Sequence, residues 1–133
     1  MDKALDACAI LAYIRKETGG DVIANMLKDP TVTCYAHAIN IVEVYYHYLR
    51  LFDEATANQA IADLETDGVI IRQDLDTDFW KQVGRLKTRG RISIADCFCI
   101  ALAQRLGGEV VTTDHHEFDV LVPLNIVPIN FIR

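Results

Sequence analysis

The sequence predicts an α/β fold with three layers, in which helices flank a parallel central sheet on both faces. Short segments rich in β-branched and apolar residues alternate along the chain with longer segments of helical periodicity. Strands separated by helices pair in parallel, because each crossover helix returns the chain to the same end of the sheet. Since the chain has 133 residues and no repeat or Pro/Ser-rich linker, residues 1–133 are predicted to form a single domain.

Five segments have the composition of strands. The first is short, because only about four residues precede Asp6. The fifth contains Pro128, which cannot donate a hydrogen bond to a neighbouring strand and therefore favours the edge of a sheet. The predicted strands cover residues 3–5, 31–36, 68–73, 109–114 and 125–130.

Six segments have the apolar spacing of helices. Three of them are followed by residues that end helices, namely Gly19–Gly20, Pro30 and Gly107–Gly108. The predicted helices cover residues 7–17, 21–29, 38–52, 54–65, 77–88 and 93–106. The last one is apolar from residue 94 to residue 103 except for Asp96, so we expect this helix to be buried.

The composition is that of a globular protein, with 51% hydrophobic and 24% charged residues. The longest apolar run of the last helix, CFCIALA, is far too short to span a membrane, and the N-terminus lacks the basic and apolar regions of a signal peptide. We therefore expect a cytoplasmic protein without membrane contact. Its four cysteines show no disulfide framework and are expected to be buried and reduced.

The net charge of −6 argues against a polyanionic partner, but one segment is an exception. Residues 81–91 contain five cations and no acid. Such a run is commonly a solvated helix end, and the functional alternative is an edge that contacts phosphate groups.

Four carboxylates fit the carboxyl edge of the predicted sheet, where ligands of parallel sheets bind. Asp6 and Asp114 follow strands, whereas Glu43 and Asp96 interrupt apolar stretches. Taken alone, each has a structural explanation: Asp6 could cap the first helix, Asp114 could form a turn, and Ser93 could cap the helix that carries Asp96. Taken together, they would repel by roughly 4 kcal/mol per pair at about 4 Å, so a divalent cation is expected between them.

Oxygen ligands without a Cys/His cage favour Mg²⁺ or Mn²⁺ over zinc. A hard cation held by carboxylates and waters suits phosphoryl chemistry. The four acids therefore point towards a metal-dependent phosphodiesterase.

The order of these motifs also resembles a known family. The chain contains, in this order, the stretches LDACAILAYI, INIVEVYY, ISIADCFCIALAQRLGGEVVTTD and FDVLVPLNIVPINFIR. Together they resemble the pattern of PIN-domain ribonucleases over residues 5–133, including the order and spacing of the four acids. The length and the absence of extensions are most similar to VapC-type toxins.

The resemblance implies a PIN-like fold and an endoribonuclease that depends on Mg²⁺ or Mn²⁺ and cleaves RNA phosphodiester bonds through a metal-activated water. It implies a cognate antitoxin that inhibits the enzyme and a homodimeric assembly. The catalytic residues, which are also the metal ligands, would be Asp6, Glu43, Asp96 and Asp114.

Further residues are expected around these acids. Asn40 lies one helical turn before Glu43, where it could support the site or simply start a helix. One of Thr112 and Thr113 should face the site. Together with Ser93, these residues are candidates to orient the acids or to contact the substrate. Candidate RNA contacts are Arg85, Lys87, Arg89 and Arg91.

His37 departs from the Ser or Thr expected six residues before Glu43, although its ring could cap the helix. His37 and the acidic net charge keep a second hypothesis open, namely a non-catalytic PIN-fold module that binds RNA or protein. A DNA nuclease or phosphatase is a third, weaker hypothesis.

Residues 74–79 begin like a calcium loop but lack its glycine and final glutamate, so they predict a capped helix start. His115 and His116 are predicted to lie in a polar turn.

Overall fold

Five parallel strands form the central sheet, in the order β3-β2-β1-β4-β5. The computed structural model describes all residues from Met1 to Arg133. The predicted parallel pairing is confirmed, and β5 lies at one edge, as Pro128 indicated. The strands are β1 (Asp2–Leu5), β2 (Thr33–His37), β3 (Ile70–Arg72), β4 (Glu109–Thr112) and β5 (Ile129–Phe131).

Seven α-helices and one 3₁₀ segment connect the strands. The six predicted helices are all present, but the first ends at Ile14, because Lys16 adopts a positive φ of 54° that a right-handed helix does not allow. The helices are α1 (Ala7–Ile14), α2 (Gly20–Lys28), α3 (Ala38–Leu51), α4 (Glu54–Thr66), α5 (Thr77–Lys87), α6 (Ile94–Leu106) and α7 (His115–Phe118); the 3₁₀ segment covers Asp119–Leu124.

The prediction of a polar turn at His115 and His116 is wrong, because these residues begin the short helix α7. The Asp114 carboxylate caps this helix by accepting a hydrogen bond from the Glu117 N–H, at 3.0 Å. The sequence does carry this signal, since an acid three residues after a capping residue is a helix-start pattern.

Two apolar clusters cover the two faces of the sheet and give the predicted three layers. Val110 and Val111 are neighbours on β4 and point to opposite faces, as strand geometry requires. Val110 packs in the cluster with α5 and α6, whereas Val111 packs in the cluster with α1, α3 and α4. Every residue of α6 from Cys97 to Ala103 is buried, so the predicted burial of this helix is confirmed.

Three of the four cysteines behave as small buried hydrophobes. Cys34, Cys97 and Cys99 are buried, and none of the four forms a disulfide. The expectation of burial is wrong for Cys8, which is exposed in the first turn of α1.

None of the helices combines the length and the apolar character needed to cross a membrane.

The connection from α6 to β4 depends on a close backbone approach. A Cβ atom at Gly108 would collide with the carbonyl oxygen of Asp2, whereas one at Gly84, in the middle of α5, would meet open space. Only glycine therefore fits at position 108.

We expect Gly108→Ala to lower the free energy of unfolding by about 1–3 kcal/mol, because β1 and β4 must separate to admit the methyl group. The matched variant Gly84→Ala should raise it by about 0.5–1 kcal/mol, since alanine favours an exposed helix interior. Urea unfolding of both variants measures these changes. Equal stability of the two variants would contradict the close approach.

Candidate active site

The carboxyl ends of β1, β2 and β4 meet at one edge of the sheet. Asp6 directly follows β1, His37 ends β2 and Thr112 ends β4. The register pairs Leu5 with Val111, and the Asp6 N–H donates to the Val111 carbonyl at 3.2 Å. The sheet therefore fixes the backbone of Asp6 against the end of β4.

Asp6 is the buried acid of this edge, with 2% of its surface exposed. Its Oδ1 accepts a hydrogen bond from the Ala9 N–H at 2.8 Å, which confirms the predicted cap of α1. Its Oδ2 accepts a hydrogen bond from the Thr112 hydroxyl. Burial, with a smaller contribution from the charges of Asp96 and Asp114, raises the pKa of the Asp6 carboxyl to about 7 in spite of these bonds.

Thr112 links Asp6 to Asp114. Its hydroxyl donates to Asp6 and accepts a hydrogen bond from the Asp114 N–H at 2.9 Å. Thr113 is also buried but makes no hydrogen bond with the acids. Of the two threonines, Thr112 is therefore the one that contacts the acids.

Asp96 lies at the exposed start of the buried helix. Ser93 caps α6 as predicted, because its hydroxyl accepts a hydrogen bond from the Asp96 N–H at 3.2 Å. Asp96 itself is half-buried, since the first turn of α6 reaches the open edge of the sheet. Burial, with smaller contributions from the charges of Glu117, Glu43 and Asp114, raises the pKa of Asp96 to about 6.

Asn40 joins the helices that carry Glu43 and Asp96. It is fully buried, and its Nδ2 donates to the Ala95 carbonyl in the first turn of α6, at 3.2 Å. Its Oδ1 is the one buried side-chain polar atom without a hydrogen-bond partner. Glu43 is exposed on α3, and partial desolvation raises the pKa of its carboxyl while Asn40 lowers it.

The charges of neighbouring acids raise the pKa of Asp6 and of Asp96, which is the electrostatic condition that a divalent cation relieves. Their oxygen-only donors fit Mg²⁺ or Mn²⁺. With the side chains as they stand, however, no three His, Cys, Asp or Glu residues converge closely enough to ligate one ion. Mg²⁺ usually keeps several waters and binds through one or two carboxylates, so these acids can hold it partly through water.

A fifth acid, Glu117, belongs to this cluster and was missed by the sequence analysis. Its charge is the largest electrostatic contribution to the raised pKa of Asp96. The missed signal is its position three residues after Asp114, which places both acids on one side of α7.

Comparison with known proteins agrees with this geometry. The family model of the PIN domain matches residues 3–121. The chain belongs to the PIN-domain family. No curated protein matches it significantly.

Solved structures share the fold of this PIN domain at low sequence identity. A VapBC2 complex from Rickettsia felis bound to promoter DNA aligns with a TM-score of 0.76 and 14% identity, covering 98% of both chains. DNA-bound VapBC from Salmonella typhimurium aligns with a TM-score of 0.74 and 16% identity, covering 100% of this chain and 99% of the other. VapC20 from Mycobacterium tuberculosis, a toxin that cleaves the sarcin–ricin loop, aligns with a TM-score of 0.69 and 16% identity over 89% and 94% of the two chains.

His37 of this PIN domain caps α3 as the sequence analysis expected. Its Nδ1 accepts a hydrogen bond from the Ile39 N–H, and its Nε2 lies 2.8 Å from the Asp74 carbonyl, so the neutral ring carries its proton on Nε2. The ring stacks on Phe79 and also packs against Phe98 of α6. Burial lowers the pKa of His37 and favours this neutral form.

The four candidate RNA contacts lie at the end of α5 and in the loop before α6. All four are exposed, and none forms an ion pair. Lys87 turns back and donates to the Ile92 carbonyl. None of the four hydrogen-bonds to the acids of the cluster.

The predicted helix start at residues 74–79 is confirmed. Asp76 caps α5 by accepting a hydrogen bond from the Phe79 N–H at 3.4 Å. Asp74 pairs with Arg72 and Arg105, and Arg105 also pairs with Asp76. The charges of these aspartates are therefore compensated by arginine.

The raised pKa of Asp6 predicts a pH dependence of stability without metal. The Asp6 carboxyl has a pKa of about 7 in the folded protein and of about 3.9 in the unfolded chain. Between these two pH values, the folded state holds a proton that the unfolded state has lost. The free energy of unfolding should therefore fall as the pH rises from about 4 to about 7. Asp6→Asn, whose amide oxygen can still cap α1, should remove part of this slope and be more stable by on the order of 2 kcal/mol near pH 8.

Urea unfolding in EDTA at several pH values measures this effect. Asp21→Asn, an exposed aspartate of α2 outside the cluster, is the matched control and should keep the wild-type slope. Identical slopes for Asp6→Asn and Asp21→Asn would show that Asp6 is ionised normally.

Proposed function

We propose that this PIN domain is a metal-dependent endoribonuclease and the toxin of a VapBC-type pair. The observation that supports this proposal is the cluster of mutually repelling acids at the carboxyl edge of a parallel sheet. Asp6, Asp96 and Asp114 come from three different connections, yet the charges of Asp96 and Asp114 act on the buried Asp6 carboxyl. A fold that depended on packing alone would gain nothing from this arrangement.

Asp6, Glu43, Asp96 and Asp114 would hold Mg²⁺ or Mn²⁺, and Glu117 lies close enough to assist. When bound, the cation polarises a phosphodiester and lowers the pKa of a water. Thr112 and the Ala9 N–H hold both Asp6 oxygens in place, and Ser93 fixes the turn that carries Asp96. These contacts orient the Asp6 carboxylate and position the backbone of Asp96 before metal or substrate arrives.

Without a cation, the cluster retains protons. Since the pKa of Asp6 is about 7 and that of Asp96 about 6, proton release near neutral pH would accompany metal binding. Activity should therefore rise with pH through this range.

The protein partner in this proposal is a cognate antitoxin that blocks the acid cluster, and the assembly is a homodimer. The support is that the similar solved structures from Rickettsia felis and Salmonella typhimurium are VapBC complexes. RNA is proposed as the substrate because the similar protein VapC20 from Mycobacterium tuberculosis is a toxin that cleaves the sarcin–ricin loop.

A non-catalytic PIN-fold module is the second candidate. It is favoured by the absence of three converging metal ligands and by the net charge of −6. Calorimetric titration with Mn²⁺ separates the two candidates, because a module without nuclease function has no need of a competent cation site.

We expect the purified protein to cleave RNA with Mg²⁺ or Mn²⁺ and Asp96→Asn to reduce the rate by at least about a hundredfold, since it removes one charge from the ligand set. Cleavage of a labelled RNA, followed with time at several metal concentrations, measures the rate. A same-sequence DNA, assayed alongside, tests for DNase activity.

Asp21→Asn is the control that makes the same chemical change outside the site. It should cleave at the wild-type rate. If wild type and Asp96→Asn behave alike and neither binds Mn²⁺, the protein is not a metal-dependent nuclease.

A further inference from the structure

A polar groove lies between α5, α6 and the end of the 3₁₀ segment. It has a volume of about 340 Å³, and no acidic residue lines it. Two arginines, one at the end of α5 and one in the following loop, form part of its wall. The lining residues are Gln82, Arg85, Leu86, Arg89, Gln104, Leu124, Asn125 and Ile126.

A chain of side-chain amides positions Arg85 at this groove. The Arg85 guanidinium donates to the Gln82 Oε1 at 3.1 Å, and the Gln82 Nε2 donates to the Gln104 Oε1 at 2.9 Å. Gln104 in turn donates to the Ile126 carbonyl at 3.1 Å. Arg85 is thus held by a neutral acceptor, which orients the guanidinium and leaves its charge available to an anion.

Arg105, on the far side of Gln104, shows the contrasting arrangement. Its guanidinium pairs with Asp74 and Asp76, so its charge is already compensated. Arg85 and Arg89 have no such partner. In a chain with a net charge of −6, an acid-free groove with two uncompensated arginines is a local exception that favours an anionic ligand.

We propose that this groove binds the backbone phosphates of a single-stranded RNA whose cleaved segment lies at the acid cluster. This inference rests on the proposed nuclease function and adds the path of the substrate. Asp96 and Gln104 lie eight residues apart on α6, which corresponds to about 12 Å along the helix axis. A strand of a few nucleotides can therefore occupy both places.

The guanidinium group suits this role because its planar donors match two phosphate oxygens at once. Lys87, by contrast, donates to the Ile92 carbonyl and does not line the groove. Of the four candidate RNA contacts, only Arg85 and Arg89 line the groove. Lys87 and Arg91 do not.

The test is the salt dependence of RNA affinity. Fluorescence anisotropy measures the affinity for an unstructured RNA oligonucleotide in the presence of Mg²⁺. The full chain carries Asp96→Asn, so that RNA cleavage does not interfere. Adding Arg85→Ala and Arg89→Ala should weaken binding about tenfold or more at low salt and reduce the slope of log K against log salt by about 1.4, since each phosphate contact contributes about 0.7.

Three further variants make the result specific to the groove. Lys28→Ala with Arg50→Ala removes the same charge from exposed positions outside the basic run and should leave the slope unchanged. Replacing Arg85 and Arg89 by lysine should preserve the slope and lose part of the affinity. Gln82→Leu should weaken binding with little change in slope, because it disturbs the orientation of Arg85 and not its charge.

The inference is overturned if the alanine pair at positions 85 and 89 loses no more affinity than the control pair, or if the chain does not bind RNA at all. RNA cleavage by the protein without Asp96→Asn is scored separately. If the wild-type chain cleaves RNA but the alanine pair leaves the salt slope unchanged, the groove is rejected and the nuclease function is kept. If the chain neither cleaves nor binds RNA, the proposed function itself is rejected.

Discussion

The buried Asp6 carboxyl is the constraint on which the rest of the site depends. Removing a carboxylate from water costs several kcal/mol unless hydrogen bonds and positive charge compensate it. The Ala9 N–H and the Thr112 hydroxyl supply hydrogen bonds, but the pKa of about 7 shows that they are insufficient. The β1–β4 pairing nevertheless holds the group there, so the fold stores an unfavourable charge that a cation at this edge would relieve.

The surrounding elements hold the other acids in place by different means. The buried helix α6 supports Asp96, and Asn40 connects its first turn to α3, which carries Glu43. His37 adds a second connection, because it caps α3 and packs against Phe98 of α6. Together these contacts keep the acid-bearing helices in register.

An acidic PIN domain that acts on RNA has to separate its charges. The acids that would bind a metal lie at the carboxyl edge of the sheet. Arginine side chains compensate the charges of Asp74 and Asp76. Four exposed cations without an ion pair, Arg85, Lys87, Arg89 and Arg91, lie at the end of α5 and in the loop before α6. The net charge of −6 therefore describes the whole surface and not the region where a nucleic acid would bind.

Much of the fold was predictable from local patterns: the alternation of strands and helices, the parallel sheet, the Asp6 and Ser93 caps, and the four acids in order. These features follow from periodicity and from residues adjacent in sequence. The role of Glu117 at the cluster, the partial exposure of Asp96, the stacking of His37 and the amide chain behind Arg85 were decided only by the tertiary structure. Each depends on contacts between distant segments, which no local pattern encodes.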